Sequence, residues 1–156
     1  QIEKILFFSM DNSSSPKTMY AKFAKWYGTH YRSIKDHDAE VERIAYLLEK
    51  LDTQPRSILD IACGTGEHAR ILRDTYGFKV NGIGLKPNLV EIAQLKNPCG
   101  YFTVADMRNF RLPRQYDAIT RLFSSIGYAE SLDGLAATIK SIARHLRTDG
   151  WLLIAP

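Results

Sequence analysis

Cysteine is scarce. Cys63 and Cys99 stand far apart and match no metal-ligand spacing, so they imply no zinc site, and reduced thiols are expected rather than a disulfide. Long hydrophobic runs are missing too: the longest, such as Trp151–Ala155, fall far short of the roughly 20 residues that cross a bilayer, so no membrane span is expected. The first eight residues lack a basic stretch, an extended apolar run and a small-residue cleavage site, so the sequence carries no secretory signal and reads as cytoplasmic. Nor is one sign of charge in excess. The 21 Lys and Arg against 17 Asp and Glu leave +4, too little to define a nucleic-acid binder, and no specific nucleic acid is expected as a partner. The one basic cluster, Arg108, Arg111, Arg114 and Arg121, has no interleaved aromatics for base stacking and would suit an anionic small molecule instead.

What is present is ordinary globular composition, 45% hydrophobic and 24% charged over 156 residues, enough for one domain. The polar breaker Asp11–Pro16 sets residues 1–16 apart as a leader, disordered or foreign to the domain, and leaves 17–156 as the folded unit. Tyr20, Phe23, Trp26, Tyr27 and Tyr31 recur at helical spacing, as do Val41, Ile44, Ala45, Leu48 and Leu51 before the stop at Pro55. From there strands and helices alternate. Strands are expected at 57–62, 79–84, 101–104, 116–120 and 151–155, with helices at about 66–76, after Pro87, and along the stripe Leu132, Leu135, Ile139, Ile142, Leu146. Such alternation demands right-handed crossovers, hence an α/β fold: a Rossmann-like parallel sheet with helices on both faces.

The strand 57–62 runs straight into Cys63-Gly64-Thr65-Gly66, so glycines occupy the turn into a helix N-terminus, where backbone N–H groups can approach a ligand. Asp60 lies inside that strand, four residues before Gly64. An acid beside such a loop suits a ligand carrying positive charge, and S-adenosylmethionine carries both a sulfonium and an ammonium.

Leu59-Asp60-Ile61-Ala62-Cys63-Gly64-Thr65-Gly66 resembles the first motif of the Rossmann-like S-adenosylmethionine-dependent methyltransferases. His68, Ala105-Asp106-Met107-Arg108 and Phe123-Ser124-Ser125-Ile126-Gly127-Tyr128 narrow the resemblance, over about residues 20–156, to the nucleotide-linked amino-sugar N,N-dimethyltransferases. The resemblance implies S-adenosylmethionine as cofactor, S-adenosylhomocysteine as product and a small-molecule amine as methyl acceptor. It implies a cofactor site built from Asp60, Ala62, Cys63, Gly64 and Gly66, from Gly84 and Leu85 after the second core strand, and from Leu122 after the fourth. Asp106 and Met107 inherit the roles of meeting the adenine amino group and ring. No nucleophilic residue is needed, because in-line methyl transfer depends chiefly on positioning; Tyr128 is the candidate for handling the acceptor's proton, and His68 reads as cofactor-side or structural. The chain has no Asn-Pro-Pro-Tyr-type sequence after the fourth strand, which argues against methylation of bases or glutamine amides.

Two departures keep other readings open. Where the family ends its second strand with a ribose-binding acid, this chain has Gly84, and Lys86 replaces a capping serine before Pro87. Together they also resemble a site that accepts a 2′-phosphate, an NADP-binding Rossmann domain. The sequence also stops at the fifth core strand, without the C-terminal antiparallel strands of the full family fold, which suggests a truncated or degenerate cofactor-binding domain without turnover. Strand 151–155 would then be an unpaired apolar edge, expected to recruit a second copy as a homodimer.

Overall fold

Residues 4–7, 37–121 and 131–154 are described by a computed structural model of the chain. Five short apolar segments rich in branched residues form strands, joined in one sheet by a sixth from the amino-terminal stretch. In chain order the elements are β1 (Lys4–Phe7), α1 (His37–Lys50), β2 (Ser57–Ile61), α2 (Glu67–Tyr76), β3 (Lys79–Gly84), α3 (Pro87–Lys96), β4 (Phe102–Val104), β5 (Tyr116–Arg121), α4 (Leu132–His145) and β6 (Leu146–Ile154). The sheet order is β1-β6-β5-β2-β3-β4, and every pairing is parallel. That is the Rossmann-like architecture the alternation demands.

Both faces of the central strands are covered. Ile58 packs with Val41, Ile44, Ala45 and Leu48 of α1 and with Ala69 and Leu72 of α2, whereas Leu59 and Ile61 point to the other face, toward Met107, Phe110 and Ile142. This explains why β2 reads as an almost unbroken apolar run. Helix ends follow local chemistry. Gly77, at φ +73°, closes α2 with its N–H donating to the Arg73 carbonyl (3.0 Å) and that of Phe78 donating to the Leu72 carbonyl (3.2 Å). At the amino-terminal end of the sheet the Asp117 carboxylate accepts from the backbone N–H groups of Arg56 (3.0 Å) and Ser57 (2.8 Å), the Ser57 hydroxyl (2.8 Å) and the Arg147 guanidinium (2.6 Å). Burial alone would raise its pKa, but these donors hold it at about 2 and fasten β2 to β5.

Three expectations change. Residues 4–7, assigned to a detachable leader, instead form β1 against β6, pairing Lys4 with Trp151 and Phe7 with Ile154. Ladder bonds, the packing of Leu6 on the core, and Lys4 Nζ placed 5.5 Å from the Trp151 ring centroid hold β1 there. The edge expected to recruit a second copy is therefore occupied by the chain itself, and the reason for a homodimer through it falls away. Second, β6 begins at Leu146 rather than at 151. Leu146 pairs with Tyr116 and Trp151 with Ala118, and the intervening residues bulge outward through Asp149 at φ +64°. Third, the buried face of α4 is more polar than its leucine stripe implies: Leu132 is 85% exposed, while Thr138, Ser141 and His145 are buried beside Ile142. The Ser141 hydroxyl donates to the Arg108 carbonyl (2.9 Å). His145 Nε2 accepts from the Leu112 N–H (2.9 Å), leaving Nδ1–H to donate to the Ser141 carbonyl (2.7 Å), so α4 satisfies the backbone of the loop it covers. The aromatic segment 17–31 lies outside the described residues.

Candidate functional site

Parallel strands bring all their carboxyl ends to one edge of the sheet. The order of strand addition reverses between β2, from which the chain steps to β3 and β4 on one side, and β5, which opens the other side, and in open sheets a crevice for ligands forms at such a switch point. Asp60 sits there, 3% exposed, in register with Gly82 on one neighbour and Thr120 on the other. Among the described residues its carboxylate accepts one long hydrogen bond, from the Thr120 hydroxyl at 3.4 Å. Burial pushes its pKa up to about 6, against the opposing pull of His68 and the Thr120 bond. A carboxylate at so weakly satisfied a buried position gains from a cationic ligand.

The loop after β2 turns through left-handed residues at Ala62 (φ +61°), Gly64 (φ +55°) and Gly66 (φ +71°). Gly64 fits the expected logic: a Cβ there would meet nothing within 4 Å, so its backbone faces open space. Gly66 answers to packing rather than to ligand approach, since a Cβ would lie 2.7 Å from Asn97 Nδ2 and 2.9 Å from Ala93 Cβ. Asn97, buried at the end of α3, donates to the Gly66 carbonyl (3.1 Å) and the Ala93 carbonyl (2.9 Å) and accepts from Arg73 (2.9 Å). It clamps the glycine loop from behind. Ala62, not a glycine, is held in a conformation that costs an L-residue about 1–2 kcal/mol. Cys63 is inert: burial, with Asp60 adding to it, pushes its thiol up to about 12.

The loop is tied in a row to the neighbouring strand ends. The Cys63 N–H donates to the Ile83 carbonyl and the Ala105 N–H to the Gly84 carbonyl, both at 3.0 Å. Cys63, Gly84 and Ala105–Met107 thus line one continuous crest, with Leu85 54% exposed along it and the Met107 side chain packed into the core below. A Cβ on Gly84 would lie 3.6 Å from Cys63 Sγ and 3.2 Å from Val90 Cγ2. Lys86 caps α3 without a side-chain hydrogen bond. Asp106 behaves as a turn cap: it accepts from the Arg108 backbone N–H (2.9 Å) and is held by the Arg108 guanidinium (2.6–3.0 Å), whose hydrogen bond keeps its carboxyl below the usual range. Leu122 and Tyr128 lie outside the described residues.

Several contributors escape a sequence reading. Glu40, an acid on a helix that looks solvated, is buried, with Oε2 2.7 Å from His68 Nε2. Asn97 carried a weak signal, a helix-ending Asn before Pro98. The structure separates three members of the arginine cluster: Arg108 is paired with Asp106 on the crest, while Arg111 and Arg114 line, with Arg144 and His145, a cavity of about 490 Å³ near the amino-terminal end of β5; the Arg121 side chain lies outside the described residues.

Residues 58–150 match the family pattern described as a methyltransferase domain. The chain is 36% identical over 127 residues to the dTDP-3-amino-3,6-dideoxy-alpha-D-glucopyranose N,N-dimethyltransferase of Streptomyces fradiae, covering 81% of this chain and 49% of that protein. It is 34% identical over 122 residues to the dTDP-3-amino-3,4,6-trideoxy-alpha-D-glucopyranose N,N-dimethyltransferase of Streptomyces venezuelae, covering 78% and 51%. The crystal structure of a sugar N-methyltransferase from Streptoalloteichus sp. superimposes with a TM-score of 0.71 at 35% identity, covering 86% of this chain and 52% of that one. The chain spans about half the length of the curated relatives it matches. These relatives are methyltransferases, and the 2′-phosphate reading of Gly84 and Lys86 gains no support from them.

Proposed function

We infer the function of this chain from the family to which it belongs, the S-adenosylmethionine-dependent methyltransferase domains: it binds S-adenosylmethionine across the carboxyl edge of the sheet and methylates a small-molecule amine. The acceptor class we propose is the nucleotide-linked amino sugar, the kind named for the relatives from both Streptomyces species. The observation that carries the cofactor assignment is the buried Asp60 carboxylate beneath the glycine loop at the switch point. The residues present fit that cofactor: a carboxylate in need of a cation, an open backbone at Gly64, and a crest running from Cys63 past Gly84 to Asp106.

In this reading Asp60 orients the loop of Ala62, Cys63, Gly64 and Gly66 and faces the positive end of the donor. Gly84 and Leu85 lie along the ribose, Asp106 and the Met107 backbone N–H meet the adenine, and Leu122, next in sequence after β5, is assigned to the cofactor site by the resemblance alone. Asp106 keeps acceptor capacity for an amino group while Arg108 holds it in place, because each carboxylate oxygen has two lone pairs. When bound, S-adenosylmethionine supplies a methyl group on a sulfonium, open to in-line displacement by a neutral amine. This chain's part is to hold donor and acceptor at attack distance, the main source of acceleration in such a step. Attack by the neutral amine breaks the sulfur–methyl bond and leaves an ammonium whose proton passes to solvent, and we assign its relay to the Tyr128 hydroxyl from that residue's place after Ser124-Ser125. The two free cysteines suit a reducing compartment, and we place the protein in the cytoplasm on that ground. Among the described residues no helix is long and apolar enough to cross a membrane.

Calorimetry with S-adenosylhomocysteine, followed by a transfer assay with S-adenosylmethionine and a dTDP-linked 3-amino sugar, tests both halves. Saturable binding at micromolar concentration and a mass gain of one or two methyl groups on the sugar are expected. Absence of saturable binding by the folded chain overturns the cofactor assignment; binding without transfer to any amino sugar overturns the acceptor assignment alone.

A further inference from the structure

His37 and Glu40 stand one turn apart on α1, an i, i+3 pair on one face, and His68 is the second residue of α2. His68 Nε2 lies 2.7 Å from Glu40 Oε2 and 3.5 Å from His37 Nδ1, and His37 Nδ1 lies 3.9 Å from Glu40 Oε2. The two imidazoles meet edge to face, their centroids 4.8 Å apart. Glu40 and His68 are buried, and the His37 side chain is one-third exposed. A hydrogen bond between Glu40 and His68 accounts for two of these groups.

Two imidazole nitrogens and one carboxylate oxygen are the donor set of a first-row divalent ion of the zinc class. With metal–ligand bonds of about 2.0–2.1 Å, neighbouring ligand atoms of a tetrahedral site lie roughly 3.3 Å apart. The distances of 2.7, 3.5 and 3.9 Å bracket that value, so side-chain adjustments of about half an ångström bring all three atoms onto one ion. The exposed flank of His37, one-third accessible, provides the entry path.

We propose that His37, Glu40 and His68 form a binding site for a zinc-class divalent ion that clips α1 to the first turn of α2. The ion replaces whatever proton His68 and Glu40 share, which leaves to solvent; no bond changes oxidation state. Because His68 follows Gly66 by two residues, an occupied site pins the helix on which the glycine loop is mounted, with no contact to the methyl acceptor required.

The test uses the tag-free full chain stripped with a chelator, titrated with Zn2+ by calorimetry and melted with and without the ion. His37→Ala is the informative variant, since it removes the rim ligand and leaves the Glu40–His68 pair in place. Cys99→Ser controls for capture by the exposed thiol. One equivalent of Zn2+ should bind at micromolar or lower concentration and raise the melting temperature by several degrees. His37→Ala, still folded by circular dichroism, should bind at least tenfold more weakly, whereas Cys99→Ser should match the parent. Co2+ in place of Zn2+ should give ligand-field bands without a thiolate charge-transfer band. No saturable binding at one equivalent, binding unchanged by His37→Ala, or binding lost with Cys99→Ser overturns the proposal.

Discussion

Replacing Gly84 with aspartate would put a carboxylate on the crest between the glycine loop and Leu85, where the resemblance implies a ribose-binding acid. The backbone permits it, because Gly84 is not among the positive-φ residues. Space is tight but workable: the new Cβ meets Cys63 Sγ at an ordinary 3.6 Å, and Val90 Cγ2, at 3.2 Å, must retreat by a few tenths of an ångström. That overpacking should cost about 1 kcal/mol of stability, the low end for adding atoms to a packed site. Against it stand charge-assisted hydrogen bonds from two ribose hydroxyls, which with part of their strength lost to desolvation leave about 1–3 kcal/mol of binding, or roughly five- to a hundredfold. Calorimetry with S-adenosylhomocysteine should therefore show tighter binding in Gly84→Asp, while a thermal melt shows a slightly lower midpoint and NADPH serves as negative control. If the variant stays folded and binds S-adenosylhomocysteine no better than the parent, the ribose does not lie over β3, and the crest must be read in another register.

The remaining predictions concern the same edge and the sheet that carries it. The folded-state pKa of Asp60, near 6 against 3.8 for a free aspartate, means the native protein holds a proton that the unfolded chain releases; the stability this gives is complete below about pH 4 and lost as pH rises through 6, some 3 kcal/mol by pH 7. Asp60→Asn should thus be more stable than the parent in urea at pH 8, show a smaller gain at pH 5, and bind S-adenosylmethionine at least tenfold more weakly; an equal stability change at both pH values would contradict this. Gly66→Ala combines a left-handed backbone with overlap on Asn97 and Ala93 and should cost about 2–5 kcal/mol, whereas Gly64→Ala, with nothing near its Cβ, should cost only about 1–2; denaturant melts giving the reverse order would refute the packing account. Deleting residues 1–7 bares the β6 edge at Trp151–Ile154, so the shortened chain should associate with rising concentration in sedimentation while the full chain does not.

Local chemistry made the central elements legible. β3 is bounded as its pattern implies, Lys79–Gly84, and β2 and α2 fall within a residue of expectation, because branched apolar runs, Gly77 and Pro87 act on their own neighbours. What stayed hidden depends on partners distant along the chain. Gly66 looks like a ligand-facing glycine until Ala93 and Asn97 arrive behind it. Glu40 looks like one more surface acid until α2 brings His68 against it. For Asp106 the resemblance implies an adenine contact, whereas the structure shows a turn cap held by Arg108, two residues on. β1 is invisible in Lys4–Phe7 alone, since four residues of mixed polarity become a strand only beside Trp151–Ile154.

That pairing of β1 with β6 sets an order on assembly. Lys4–Phe7 leave the ribosome long before the residues they hydrogen-bond, and the β2–β3–β4 half of the sheet can form without them. During synthesis the strand cannot pair until β6, more than 140 residues on, has been made. Among the described residues, joining segments so remote in sequence closes the largest loop, and contacts of that span are the slow ones. Among the described strands, the return of β1 to β6 is therefore expected late in folding.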